Sequence, residues 1–106
     1  MEKRKAHYDL SKIKKLLQNE LTTIITESSQ EDALALGYGS VEEIIEVVKR
    51  LCNENIYKSM TSNISHKIWQ DVYKICDRDI SLYIKLQLSV DSDKAIIISF
   101  KEDEGD

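Results

Sequence analysis

Apolar residues along this chain change their spacing near Asn55, from helical three-and-four intervals to alternation. Before that point Leu10, Ile13, Leu16 and Leu17 recur at helical spacing within residues 9 to 19, with Asp9 or Ser11 placed to cap the first amides, which predicts a first helix with a basic outer face. The stretch TESSQEDALALGYG reads as a cap, a short helix and a glycine stop at Gly37. SVEEIIEVVKRL predicts a third helix, with Ser40 and Glu43 in capping-box spacing and Val41, Ile44, Ile45 and Val48 on one face. After Asn55, YKSMT and KIWQDVY read as strands separated by the turn-prone SNISH. In SLYIKLQLSV the even positions from Leu82 to Val90 are all apolar, and after the turn DSD the segment KAIIISFK continues with Ile96, Ile98 and Phe100. The predicted class is α+β: about three N-terminal helices packed on one face of a roughly four-stranded antiparallel sheet.

Hairpin geometry turns that alternation into candidate chemistry. Residues directly opposite in a hairpin share a face, so burying both even sets requires paired numbers that add to an even total. A three-residue loop at Asp91 to Asp93 then pairs Val90 with Lys94, Leu88 with Ile96, Leu86 with Ile98 and Ile84 with Phe100. Tyr83 faces Lys101 on the open side, beside Lys85 and Ser99. Lysines also populate ordinary solvated sheet faces and discourage edge pairing, so this arrangement alone does not make a site. In KIWQDVY the parity is open: either Ile68, Gln70 and Val72 or Trp69, Asp71 and Tyr73 supply the core side. Packed aromatics are the simpler reading of Trp69 and Tyr73, whereas a core Gln70 would need its amide satisfied.

Composition narrows the function classes. A chain of 106 residues, 42% apolar and 32% charged, suits one domain over 1–106, with 103–106 as an acidic tail. Neither Cys52 nor Cys76 belongs to a CxxC pair, and His7 and His66 have no partner at metal-ligand spacing. There is no glycine-rich phosphate loop, nucleophile elbow or HExxH helix. The charged start MEKRKAHYDL lacks the apolar run of a signal peptide or membrane span, so a cytoplasmic protein is expected. The net charge of −4 argues against nucleic acid, yet it is unevenly spread. Residues 1–15 carry six Lys/Arg against two Asp/Glu, 16–56 carry two against eight, and 57–101 carry seven against five.

The segments MEKR, YKSM, IWQDVY and ISFKE resemble the MqsR family of bacterial toxins, most specifically from Tyr57 to Glu102 and weakly over 20–55. That resemblance implies a RelE-like fold and the toxin half of a type II toxin–antitoxin pair. The implied activity is that of an endoribonuclease cutting messenger RNA at GC-containing sites without metal or other cofactor. It implies mRNA and a cognate antitoxin as partners, no membrane, and DNA only through the antitoxin complex. The family's catalytic positions fall on Lys58, Gln70, Tyr83 and Lys101. Its methionine and early histidine fall on Met60 and His7, which join Lys85 as candidate substrate contacts. Departures are the acidic middle, a longer turn at Asp91 to Asp93, Lys74 and Ile75 where relatives tend to have arginine and proline, and the acidic tail, expected to repel RNA modestly.

The implied chemistry needs no protein nucleophile: the substrate's 2′-hydroxyl attacks the adjacent phosphate, leaving a 2′,3′-cyclic phosphate and a 5′-hydroxyl. Lys58 and Lys101 would stabilise the charge developing on phosphorus, Tyr83 would pass a proton or orient an oxygen, and Gln70 would position the scissile group. The competing reading is a noncatalytic module using the same sheet to bind RNA or a protein.

Overall fold

In the computed structural model, which describes residues 1–105, the three helices are present but the sheet is larger than the pattern predicts. Its six strands run in the order β1-β3-β4-β5-β6-β2. Strand β1 (Glu2–Lys3) precedes helix α1 (Leu10–Leu16), and β2 (Thr23–Ile25) precedes helices α2 (Glu27–Ala35) and α3 (Val41–Lys49). Strands β3 (Ile56–Thr61), β4 (Trp69–Asp77), β5 (Ile80–Leu88) and β6 (Ala95–Glu102) are the four that alternation identifies. The expectation of a four-stranded antiparallel sheet is therefore corrected: β1 adds to β3 antiparallel, and β2 adds to β6 parallel, making the sheet mixed. Two or three residues are too few to show a period of two, and both added strands are held by long-range pairing rather than by a hairpin.

Local signals end the helices where the sequence says. Asp9 caps α1 by accepting from the Ser11 amide at 3.0 Å. Ser40 caps α3 by accepting from the Glu43 amide at 3.2 Å, and Glu43 reaches back to the Gly39 amide at 3.2 Å. Gly37 takes φ +98°, and Tyr38 and Gly37 donate to the carbonyls of Ala33 (2.9 Å) and Leu34 (3.0 Å), the Schellman closure of α2. Tyr38 then turns into the core, where its hydroxyl donates to Asp77 at 2.7 Å and its ring meets Phe100 edge-on.

The core lies between the helices and one sheet face. Leu10, Ile13 and Leu17, Ala33, and Ile44, Val47 and Val48 come from the helical layer; Tyr73, Leu82, Ile84, Leu86, Ile97 and Phe100 come from β4, β5 and β6. Ile84–Phe100 and Tyr83–Lys101 pair as the hairpin argument requires. Nearer the turn the register differs. A bulge opposite Lys85 and Leu86 pairs Leu86 with Ile97, Gln87 with Ile96 and Leu88 with Ala95, so Ala95 and Ile97 are buried instead of Ile96 and Ile98. Ser89 faces Lys94 across a longer loop, with its amide donating to the Lys94 carbonyl at 2.9 Å, and Val90 is 88% exposed. Parity arguments assume an uninterrupted ladder, and one inserted residue switches faces on one side only.

Candidate active site on the open sheet face

The ambiguous parity of β4 is settled by Asp71. Although charged, it is wholly buried on the helix side, where its carboxylate accepts from the His7 amide (3.0 Å to each oxygen) and the Tyr8 amide (2.9 Å). Those bonds meet the requirement that a buried charge be compensated, and they dock residues 7 and 8 onto β4. Trp69, Asp71 and Tyr73 consequently share the side of Leu86, Ile84 and Leu82, and Gln70, Val72 and Lys74 turn to the open face. Tyr73 is fully buried, and burial together with the nearby Asp71 carboxylate pushes its phenol up to about 12.

Strand register arranges the open face as rows. In one row Met60 pairs with Gln70, whose side-chain amide donates to Gln87 on β5 at 2.9 Å. In the next, Lys58 pairs with Val72, Val72 with Lys85, and Lys85 with Ser99. In the third, Lys74 pairs with Tyr83 and Tyr83 with Lys101. Lys58, Met60, Gln70, Tyr83, Lys85 and Lys101, from four strands, are thus assembled on one surface. Tyr83 is only 7% exposed, with the Lys101 ammonium 5.1 Å and the Lys85 ammonium 5.9 Å from its ring centroid. A bulge between Ile56 and Lys58 sets Tyr57 beside this surface, where Lys74 (3.8 Å), Lys58 (5.5 Å) and the Arg4 guanidinium (5.7 Å) approach its ring.

Electrostatics divides these cations. Lys58 forms an ion pair with Glu2 at 2.8 Å, and that hydrogen bond raises the ammonium above the usual lysine value against the opposing effect of burial. Lys74 pairs with Asp103 at 3.1 Å, where the chain leaves β6 and the Asp103 amide donates to the Ser81 carbonyl at 2.8 Å. The acidic middle of the chain lies elsewhere. A concavity on the helical side is lined by Ile25, Val41 and Ile45 together with Glu20, Glu42, Glu46 and Lys49. Phosphate would be repelled there and attracted to the lysine rows, which accounts for an acidic chain carrying a cationic sheet face.

His7 is not brought to these rows. Its ring stacks on Trp69 at 5.3 Å, on the other side of β4 from Gln70, and its Nδ1 accepts from Lys3 at 3.0 Å. Partial burial and then the Lys3 charge lower its pKa, favouring the neutral ring. Residues that sequence reasoning does not assign here are Glu2, Tyr57, Lys74 and Gln87. Lys74 and Gln87 continue the alternations of Gln70 and Lys85, a usable signal; Glu2 and Tyr57 depend on a short strand and a bulge that leave none. Among the described residues no group of three or more His, Cys, Asp or Glu is gathered as metal ligands, and no helix is long and apolar enough to cross a membrane.

Residues 5–102 match the family described as motility quorum-sensing regulator, toxin of MqsA. The chain is 36% identical over 103 residues to the mRNA interferase toxin MqsR of Escherichia coli (strain K12), a match covering 96% of this chain and 99% of that relative.

Proposed function

The chain belongs to the MqsR toxin family, and we propose that it acts on the open face of its sheet as an endoribonuclease, the toxin of a type II pair, cutting cytoplasmic messenger RNA at GC-containing sites. The observation that carries the reading is the placement of Tyr83 among Lys74, Lys85 and Lys101 on a surface shared with Lys58 and the Gln70–Gln87 pair. In the proposed reaction the ribose 2′-hydroxyl loses its proton as its oxygen bonds to phosphorus, the bond from phosphorus to the 5′-oxygen breaks, and the departing oxygen gains a proton. Lys101 and Lys58 stabilise the phosphorane charge, which fixed cations on a half-buried surface do better than reorganising water. Gln70, its orientation set by Gln87, holds the scissile group. Tyr83 supplies the hydroxyl that orients an oxygen or relays the proton. Met60 and Lys85 contact the substrate, and His7 serves by fixing the arm that carries β1.

Because the nucleophile belongs to the RNA and the cations to lysines, the reaction needs no metal. Purified protein incubated with RNA in EDTA is expected to yield fragments ending in 2′,3′-cyclic phosphate and 5′-hydroxyl. Intact RNA, or cleavage restored only by added metal, would overturn the mechanism. An antitoxin is the second proposed partner, and its co-expression is expected to restore growth.

A further inference from the structure

Lys58, one of the flanking cations of the proposed site, is already paired with an anion from its own chain. Strand β1 is two residues long, yet its register is defined: Glu2 pairs with Met60, Lys3 with Ser59, and the Thr61 amide donates to the Met1 carbonyl at 3.0 Å. Opposite Met60, Glu2 falls on the open face, and its carboxylate meets the Lys58 ammonium at 2.8 Å. Around that ammonium lie the ring of Tyr57 at 5.5 Å and, in register, the fully buried Val72; the Lys58 side chain is only 17% exposed, that of Glu2 56%. The Lys58 ammonium thus already holds an exposed carboxylate acceptor at hydrogen-bond distance.

We propose that Glu2 is a built-in stand-in for substrate phosphate: its carboxylate occupies the seat on Lys58 that an RNA phosphate oxygen takes, so that RNA binding must displace it. This rests on the proposed function, because it assigns the anion that replaces Glu2. Carboxylate and phosphate are both acceptor-only anions whose best partner is a charged N–H, and two such groups on one ammonium repel at short range. The Glu2 side chain is free to leave, since β1 is held by backbone bonds and by the docked arm rather than by this ion pair. While seated it keeps the ammonium aimed over the sheet; when displaced it hands over a positioned cation. Glu2 is in this sense a positioning and competing residue rather than a catalytic one.

The proposal makes a counterion prediction that a merely structural role would not. RNA phosphate reaching Lys58 gives up a condensed cation in either protein, but in the native chain the freed Glu2 carboxylate takes one up and offsets that release, whereas in Glu2→Gln nothing offsets it. Binding of a mixed-sequence 2′-fluoro oligonucleotide, which lacks the attacking hydroxyl, is measured by anisotropy between 50 and 200 mM salt for the native chain, Glu2→Gln, Lys58→Ala and the double variant. Glu2→Gln is expected to bind about 3- to 10-fold tighter at the lowest salt, with a log–log salt slope steeper by about 0.7, the value for one added phosphate contact on a single strand. In the Lys58→Ala background the gain should vanish. If Lys58→Ala weakens binding while Glu2→Gln changes neither affinity nor slope, or gains equally without Lys58, Glu2 is not a phosphate stand-in although the RNA site stands. If the native chain does not bind the oligonucleotide, the RNA reading fails and the proposal with it.

Discussion

The Lys58→Ala, Lys101→Ala double variant is expected to cut RNA about a thousandfold or more slowly than the native chain while keeping its fold. Loss of one preorganised donor to a developing oxyanion costs about 10²- to 10³-fold, and these two ammonium groups come from β3 and β6, on either side of Tyr83 and Val72. Neither supports the core: Lys101 is exposed, and Lys58 forms its ion pair with the edge residue Glu2. Single-turnover cleavage and thermal melting of the same preparations check the claim. A noncatalytic binder would instead lose affinity in salt-dependent steps, with no turnover in the native chain to lose. Native-like cleavage by the double variant would remove both lysines from the mechanism.

Asp71→Ala is expected to lower stability by about 2–4 kcal/mol, a fall in melting temperature on the order of 10 °C or more. The change deletes charge-assisted bonds and leaves the His7 and Tyr8 amides without their acceptor, in a region where Tyr8 also donates from its hydroxyl to the Trp69 carbonyl at 2.7 Å. Removing a costly buried charge offsets part of that loss but not the cavity and the orphaned donors. Asp71→Asn, which keeps one acceptor oxygen, should lose less. Since the arm through residues 7 and 8 leads back to β1, the alanine variant should also loosen Glu2 from Lys58. Calorimetry of the three proteins tests the ranking, and equal melting temperatures for native and alanine forms would show that the buried carboxylate anchors nothing.

Sequence pattern was sufficient where the deciding contact is local. The Ser40–Glu43 box, the Gly37 stop and the alternation through β5 each concern residues within a few positions of one another. The pairing of Tyr83 with Lys101 was also legible, because it lies at the end of the hairpin where the parity argument coincides with the real register. Beyond the bulge the same argument chose Ile96 and Ile98 over Ala95 and Ile97, since nothing in KAIIISFK marks which isoleucine is inserted. The face of β4 was illegible for a different reason. Pattern favoured Ile68, Gln70 and Val72 as apolar no less than Trp69, Asp71 and Tyr73, and the choice turns on amides more than sixty residues away. Family resemblance names both Gln70, which lies on the open face, and His7, whose ring lies against Trp69 on the other side of β4.

The central claim is that the RNA supplies its own nucleophile to a lysine-lined sheet face. The most direct measurement is cleavage of a short RNA, cut at one mapped linkage, against the same molecule carrying a single 2′-deoxy nucleotide on the 5′ side of that linkage. The account predicts that the deoxy substitution abolishes cleavage there while the oligonucleotide still binds and competes, and that the all-ribose product ends in a 2′,3′-cyclic phosphate. Cleavage of the deoxy linkage at a comparable rate, or products ending in 3′-hydroxyl and 5′-phosphate, would contradict it.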